Sequence, residues 1–349
     1  MICWWPIMPK DRPLNLEDIA LLAGVSRSTV SRVINDDRYV SDATRAKVLA
    51  VIEENGFTPN PGGRMLMTQR VQAIGVLFML SPNEAFEDPH YFPMLLQGVN
   101  EATRQRDYTT LLWLGTEDEE ISFQQRILQN RLMDGLVIAS IGGDDPLVEQ
   151  LLKRKVPFVM VERPAQRAEH INYVVTNNVK AAQQAVSHLI EGGRRRVGTV
   201  TGKIRHVDGQ DRLEGYRLAL QAAGLPFDST LVAEGDFSFW SGYQGAKRLL
   251  EQGIDAIFAA TDRSAMGALR ALREAGVKVP DEVALVGFDD LSDPVMQSQV
   301  PLTTVRHHIA KRAELATELL IDLIEEKTEG VHHIVLPHEL VVRDSSGMP

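Results

Sequence analysis

Residues Leu16 to Asp36, LEDIALLAGVSRSTVSRVIND, hold two helix-length segments separated by one glycine-centred corner, and few folds accept that pattern. Leu16, Ile19, Ala20 and Ala23 recur at helical spacing and form one apolar face. Asn15 is placed to cap the first helix, with Glu17 and Asp18 adding negative charge to its first turn. Gly24 can take the left-handed conformation that ends a helix without steric cost. Val25 turns an apolar side chain into the corner, and Ser26 can cap the next helix through the amide of Ser28 or Thr29. Val30, Val33 and Ile34 form the buried stripe of that second helix, which leaves Arg27, Ser28, Ser31 and Arg32 outside it. A short second helix bearing arginine and hydroxyls on its free face predicts a helix-turn-helix that enters the major groove of DNA.

A third helix is expected after Ser41, with Val48, Leu49, Val51 and Ile52 on its apolar side and Asn55-Gly56 at its end. Three such helices make a small domain over residues 15–59. The net charge of −10 looks wrong for a DNA binder until it is divided. Residues 1–70 carry nine Lys or Arg against eight Asp or Glu, a net of +1, so the remainder carries −11. An acidic remainder would repel DNA and leave the small domain as the contact surface. One cysteine in 349 residues rules out a disulfide framework and fits a reducing cytoplasm. The opening MICWWPIMP is too short for a span and lacks the cationic start of a secretion signal. Residues 1–14 read as a disordered extension, with Met8 as a candidate start, and no later run is long and apolar enough to cross a membrane.

The chain resembles the lactose-repressor (LacI/GalR) family of bacterial transcription regulators. The likeness is carried by DIALLAGVSRSTVSRVIN, VSDATRAKVLAVIEENGFTPNP, the ERP of Glu162 to Pro164 and DRLEGYRLAL from Asp211. It continues in TDRSAMGALRALREAGVKVPDEVALVGFDD from Thr261, PLTTVR from Pro301 and the closing LPHELVVRDSS. The resemblance implies that residues 60–71 are a hinge helix that folds on the operator and wedges Leu66 into the minor groove. Gly62 and Gly63 depart from the family's better helix formers there, each at a cost of about 1 kcal/mol relative to alanine.

Beyond the hinge, the apolar runs AIGVLFML, TTLLWLG, GLVIAS, PFVMVE, YVVT, RVGTVTG, IFAAT and VALVGF alternate with helical stretches. That order predicts an α/β core of parallel sheets covered on both faces. The resemblance makes it a two-lobed, periplasmic-binding-protein-like core over residues 72–349. Its lobes would be about 72–176 with 306–332, and 177–305 with 333–343.

In such sheets a ligand sits beyond the carboxyl ends of the strands. Glu162, Asp262 and Asp289 follow strands there, and Arg212 opens a helix. These match effector positions of the family, and carboxylates with an arginine can hold adjacent sugar hydroxyls. Phe237 and Trp240 offer ring faces, and His90, Tyr91 and Phe92 of DPHYF occupy the first-lobe segment that reaches the cleft. Thr261 stands where the family often has an amide.

Catalysis finds no support: GxSxG, HExxH and GxxxxGK[ST] are missing, and Asp289-Asp290 are adjacent residues whose side chains point apart. His307-His308 and His332-His333 lack the companions of a metal site, and the first pair is expected where the chain crosses between lobes. No cofactor is implied. The expectation is therefore a cytoplasmic, homodimeric repressor that binds a palindromic operator. Arg27, Ser28 and Arg32 would read bases, while Thr29, Ser31 and Asn35 would hold phosphates. The effector is a sugar or glycoside, with a purine or nucleoside as the alternative, and a sugar-binding transport protein as the reading from another class.

Overall fold

The computed structural model describes residues 14–34, 39–57, 70–79, 90–115, 132–139, 146–291 and 300–347. They form two compact units, one ending at Val71 and the other beginning at Gln72.

The described residues of the first unit form three helices: α1 (Leu16–Ala23), α2 (Arg27–Ile34) and α3 (Asp42–Glu54). Asn15 accepts from the amides of Glu17 and Asp18, and Asp18 accepts from the Asn15 amide, so the expected cap is a full capping box. Gly24 ends α1 at φ 60°. Ser26 accepts from the Thr29 amide at 3.1 Å, and Ser41 accepts from Thr44. Ile19, Ala20, Ala23, Val30, Val33, Val48 and Phe57 close the small core. Leu49, expected on the buried side of α3, is exposed, because only one narrow stripe of that helix meets α1 and α2.

The second unit is built on two six-stranded sheets. The first runs β11-β5-β4-β3-β1-β2, with β1 (Ala73–Phe78), β2 (Thr109–Leu114), β3 (Gly135–Ala139), β4 (Phe158–Met160), β5 (Tyr173–Thr176) and β11 (His333–Leu336), all parallel. The second runs β12-β10-β9-β8-β6-β7, with β6 (Val197–Val200), β7 (Val232–Ala233), β8 (Ala256–Ala259), β9 (Ala284–Asp289), β10 (Thr303–Arg306) and β12 (Glu339–Val341). Among the described strands only β12 is antiparallel to its neighbour. Strands β1, β3, β8 and β9 are buried along their whole length, as continuous apolar runs covered on both faces must be. Strand β2 is equally apolar yet largely exposed, since it is the edge of its sheet.

The expected lobe boundaries need one correction. Residues 333–336 do not join the second lobe: His333–Leu336 pair in parallel with Tyr173–Thr176 in the first sheet. Only Glu339–Val341 return to the second. The helix α10 (Ile309–Ile324) packs on α4 (Tyr91–Gln105) and on β3, β4 and β5, so it belongs to the first lobe. The chain thus crosses between lobes after Thr176, after Arg306 and after Leu336.

Candidate functional site

On α2 the side chains of Arg27, Ser28 and Arg32 are exposed, while Thr29 and Ser31 are half-buried. Ser26 Oγ lies 2.7 Å from Ser28 Oγ and 2.8 Å from Thr29 Oγ1, so the hydroxyls at the start of the helix form one connected group. Arg27 Nε is 3.4 Å from Glu17 Oε1, with both side chains about two-thirds exposed. An ion pair that wet contributes little, which leaves Arg27 able to exchange Glu17 for a base edge or phosphate. Asn35 and Leu66, with Gly62 and Gly63, lie outside the described residues.

In the second unit the carboxyl ends of the strands bring a set of charged groups together between the lobes. Arg212 is carried by α7 (Val207–Ala222) and is 3 % exposed. Its Nε donates to Asn178 Oδ1 at 3.2 Å and its Nη1 to the Ala260 carbonyl. Asn178 donates in turn to Asp208 at 2.9 Å. The Arg212 guanidinium lies over Phe288 at 3.8 Å and 5.7 Å from the Phe237 ring centre. Nη1 of Arg212 is 3.7 Å from Asp289 Oδ1, which also meets His307 Nε2 at 2.8 Å.

Burial pushes the Asp289 carboxyl up to about 7, against the opposing pull of Arg212 and Arg312. Burial also drives His307 well below the usual histidine value, helped by Arg312 and Arg212. His307 is thus held neutral, and its contact with Asp289 is a hydrogen bond rather than an ion pair.

Four of the nine non-glycine residues with positive φ among the described residues lie in the same place. Phe237, Asp289, Asp290 and His308 all have positive φ, at 71°, 119°, 54° and 51°. Non-glycine residues adopt such values at a cost, and they cluster where a side chain must be aimed. The ring of Phe237 occupies the space a side chain at position 202 would need: a Cβ on Gly202 would stand 1.9 Å from Phe237 Cε1.

Glu162 is buried just after β4. Tyr91 and Phe92 open α4, half-buried and edge to face with ring centres 5.2 Å apart, and His90 caps the helix without a side-chain hydrogen bond to its backbone. Burial, offset in part by Arg312, pushes the Tyr91 hydroxyl up to about 12, so it stays protonated. Two of the expected residues stand apart. Asp262 is wholly buried, with Oδ1 accepting from the Thr304 hydroxyl and Oδ2 from the Leu291 amide at 2.8 Å. It braces the turn after β9 from beneath, and burial with Asp289 nearby raises its carboxyl well above the usual range. Trp240 is 62 % exposed and packs edge to face on Phe239 and Tyr243 along α8 (Phe239–Glu251).

Sequence reasoning missed Arg312, Asp208 and Asn178. Arg312 is 1 % exposed on α10 and donates from Nη2 to the Tyr91 hydroxyl at 2.8 Å. Its signal was an arginine on the apolar stripe shared by Ile309, Ala313 and Ala316. Arg212 and Arg312 supply donors from opposite lobes, Asp289, Asp208 and Glu162 supply acceptors, and Phe237 supplies a ring face. Among the described residues no three His, Cys, Asp or Glu form a metal-binding group.

Residues 15–60 match the model of bacterial regulatory proteins of the lacI family, and residues 186–346 match a periplasmic binding protein-like domain. The HTH-type transcriptional regulator CelR of Thermobifida fusca is 38 % identical over 341 residues, spanning 97 % of this chain and 100 % of the relative. The chain belongs to the LacI family. It is a DNA-binding transcriptional regulator and not an enzyme, as its relatives in this family are. Among solved structures, a CelR–cellobiose complex is 36 % identical with a TM-score of 0.75, covering 96 % of this chain and 100 % of its own. The lac repressor dimer bound to operator and an anti-inducer is 26 % identical with a TM-score of 0.80, covering 96 % of this chain and 99 % of its own. Within this LacI-family chain no helix among the described residues is long and apolar enough to cross a membrane.

Proposed function

We propose that this regulator is a cytoplasmic repressor that binds a near-palindromic operator as a homodimer, through residues 15–59 and a hinge over 60–71, and that a sugar or glycoside between its lobes controls that binding. Arg27, Ser28 and Arg32 read base edges, while Thr29, Ser31 and Asn35 hold phosphates and Leu66 enters the minor groove. Arg212, Asp289, Glu162, Tyr91 and Phe237 hold the sugar, with His90, Phe92 and Trp240 farther out and Asp262 bracing the site.

The observation that carries the reading is the buried array of Arg212, Asp289 and Phe237. A guanidinium, a carboxylate and a ring face together match the polar rim and apolar face of a pyranose. The likeness to a cellobiose-bound relative supports that class of ligand. The effector shifts operator affinity only by its different affinity for the two lobe arrangements.

Two measurements test this. Cellobiose, ribose, adenine and guanine are added to the full chain while the unfolding midpoint is followed, since a ligand of the folded state raises it by mass action. The active compound is then titrated into an operator-binding assay. A midpoint raised by a sugar, with a changed operator affinity, is expected. A response confined to the purines would replace the sugar reading.

A further inference from the structure

Among the described residues Arg312 is the largest wholly buried side chain, and two of its three guanidinium nitrogens have no hydrogen-bond partner there. Nη2 donates to Tyr91, but Nε and Nη1 meet no acceptor among the described residues. A buried charged donor left unpaired is costly, and such groups are retained where something else completes them.

The surroundings say what kind of ligand completes Arg312. Burial works against its charge, but Tyr91, Asp208 and Glu162 outweigh it and keep the guanidinium protonated. Asp208 and Asp289 belong to the second lobe, whereas Arg312 and Tyr91 belong to the first. The two buried arginines, Arg212 and Arg312, therefore already face three carboxylates, Asp208, Asp289 and Glu162. An anionic ligand would add a negative charge to a site where the acidic groups already outnumber the two arginines. An uncharged ligand rich in hydroxyls would accept from the idle donors and donate to the carboxylates at no such cost.

We propose that Arg312, positioned by Tyr91, is a ligand-contacting residue that gives hydrogen bonds from Nε and Nη1 to hydroxyl oxygens of an uncharged sugar, and that it selects against phosphorylated sugars. The proposal rests on the interlobe effector reading above. It also gives the first lobe its own grip on the ligand, opposite the Arg212 grip of the second, so that one molecule joins both lobes.

The test uses the full chain with cellobiose, ribose and glucose 6-phosphate as probes, in titration calorimetry and thermal unfolding. Arg312→Leu keeps the volume and removes the unpaired donors. We expect affinity for the responding neutral sugar reduced at least tenfold, with the unliganded unfolding transition showing that the variant is folded. Tyr91→Phe, which frees Nη2 but leaves Arg312 in place, should weaken the same sugar less. Should Arg312→Leu fail to fold, Arg312→Gln is read by the same titration. A parent that responds to a neutral sugar, with variants that respond equally well, overturns the role of Arg312 and leaves the effector reading standing. A parent that responds to none of the probes in either assay removes the effector reading and this proposal with it. Tighter binding of glucose 6-phosphate than of any neutral probe overturns the ligand class.

Discussion

Arg163, on the first lobe directly after Glu162, grips Asp211 at the head of α7 on the second through two hydrogen bonds of 2.6 and 3.3 Å. Asp211 is the immediate neighbour of Arg212, so the clasp spans the two lobes beside the buried array. Arg163 is 44 % exposed in its side chain, so solvent screens the pair. Asp211→Asn should change the equilibrium between lobe arrangements by no more than about 1 kcal/mol, roughly fivefold in effector affinity. Operator binding should move by a comparable factor, in a direction that identifies which arrangement binds DNA. Operator and effector titrations of the variant check this, and an effect that vanishes in high salt would mark it as electrostatic.

The contact of His307 with Asp289 predicts a pH dependence of known sign. The Asp289 carboxyl is raised in the folded protein from its ordinary value to about 7. Its contribution to stability is therefore complete below about pH 4 and is lost as the pH rises through about 7. His307 is depressed, so its contribution is present above about pH 6.5 and lost as the pH falls. Asp289→Asn removes the first effect alone. Denaturant unfolding at a series of pH values should show the variant gaining stability on the parent between pH 5 and pH 8. A constant difference across that range would mean that Asp289 is ionised throughout.

Gly202 predicts a defect in the ligand site with little loss of fold. A methyl group at that position would fall on the Phe237 ring, whose far edge can move, whereas the backbone cannot easily follow. Gly202→Ala should cost about 1–2 kcal/mol in unfolding free energy, as modest overpacking does. It should weaken sugar binding about tenfold, because the ring leaves its place beside Arg212. Calorimetry on the variant decides between a displaced ring and an indifferent one.

At the DNA end, Arg27→Ala should lower discrimination at one operator position by about 1–3 kcal/mol. Thermal stability should be almost unchanged, since the ion pair of Arg27 with Glu17 is solvent-exposed at both ends. Competition binding with single-base operator variants measures this. Equal weakening on every sequence would make Arg27 a phosphate contact.

The two ends of the molecule were legible for different reasons. Caps and corners are written locally: Asn15, Gly24, Ser26 and Ser41 act within four residues of themselves and do in the structure what their chemistry allows. The buried strands were equally visible, because continuous apolar runs have few other uses. The lobe of strand β11 is not written locally, because its pairing with β5 joins residues far apart in sequence and nothing within HIVL names the partner. Asp262 shows the same limit. A carboxylate at a strand end reads the same whether it faces a ligand or, as here, accepts from Thr304 and Leu291 of its own chain. Arg312 was passed over because a charge on an apolar stripe looks like an imperfect helix until Tyr91 arrives from another element.

The chain runs between its two sheets three times, after Thr176, Arg306 and Leu336. A single tether would let the halves swivel freely, and two would still let them fold about the line joining them. Three side by side leave one easy rotation, like a door on three hinges. A molecule lodged between the halves then has one angle to set, and a change of only a few degrees there reaches the far edge of each lobe as a coherent displacement rather than as scattered loosening.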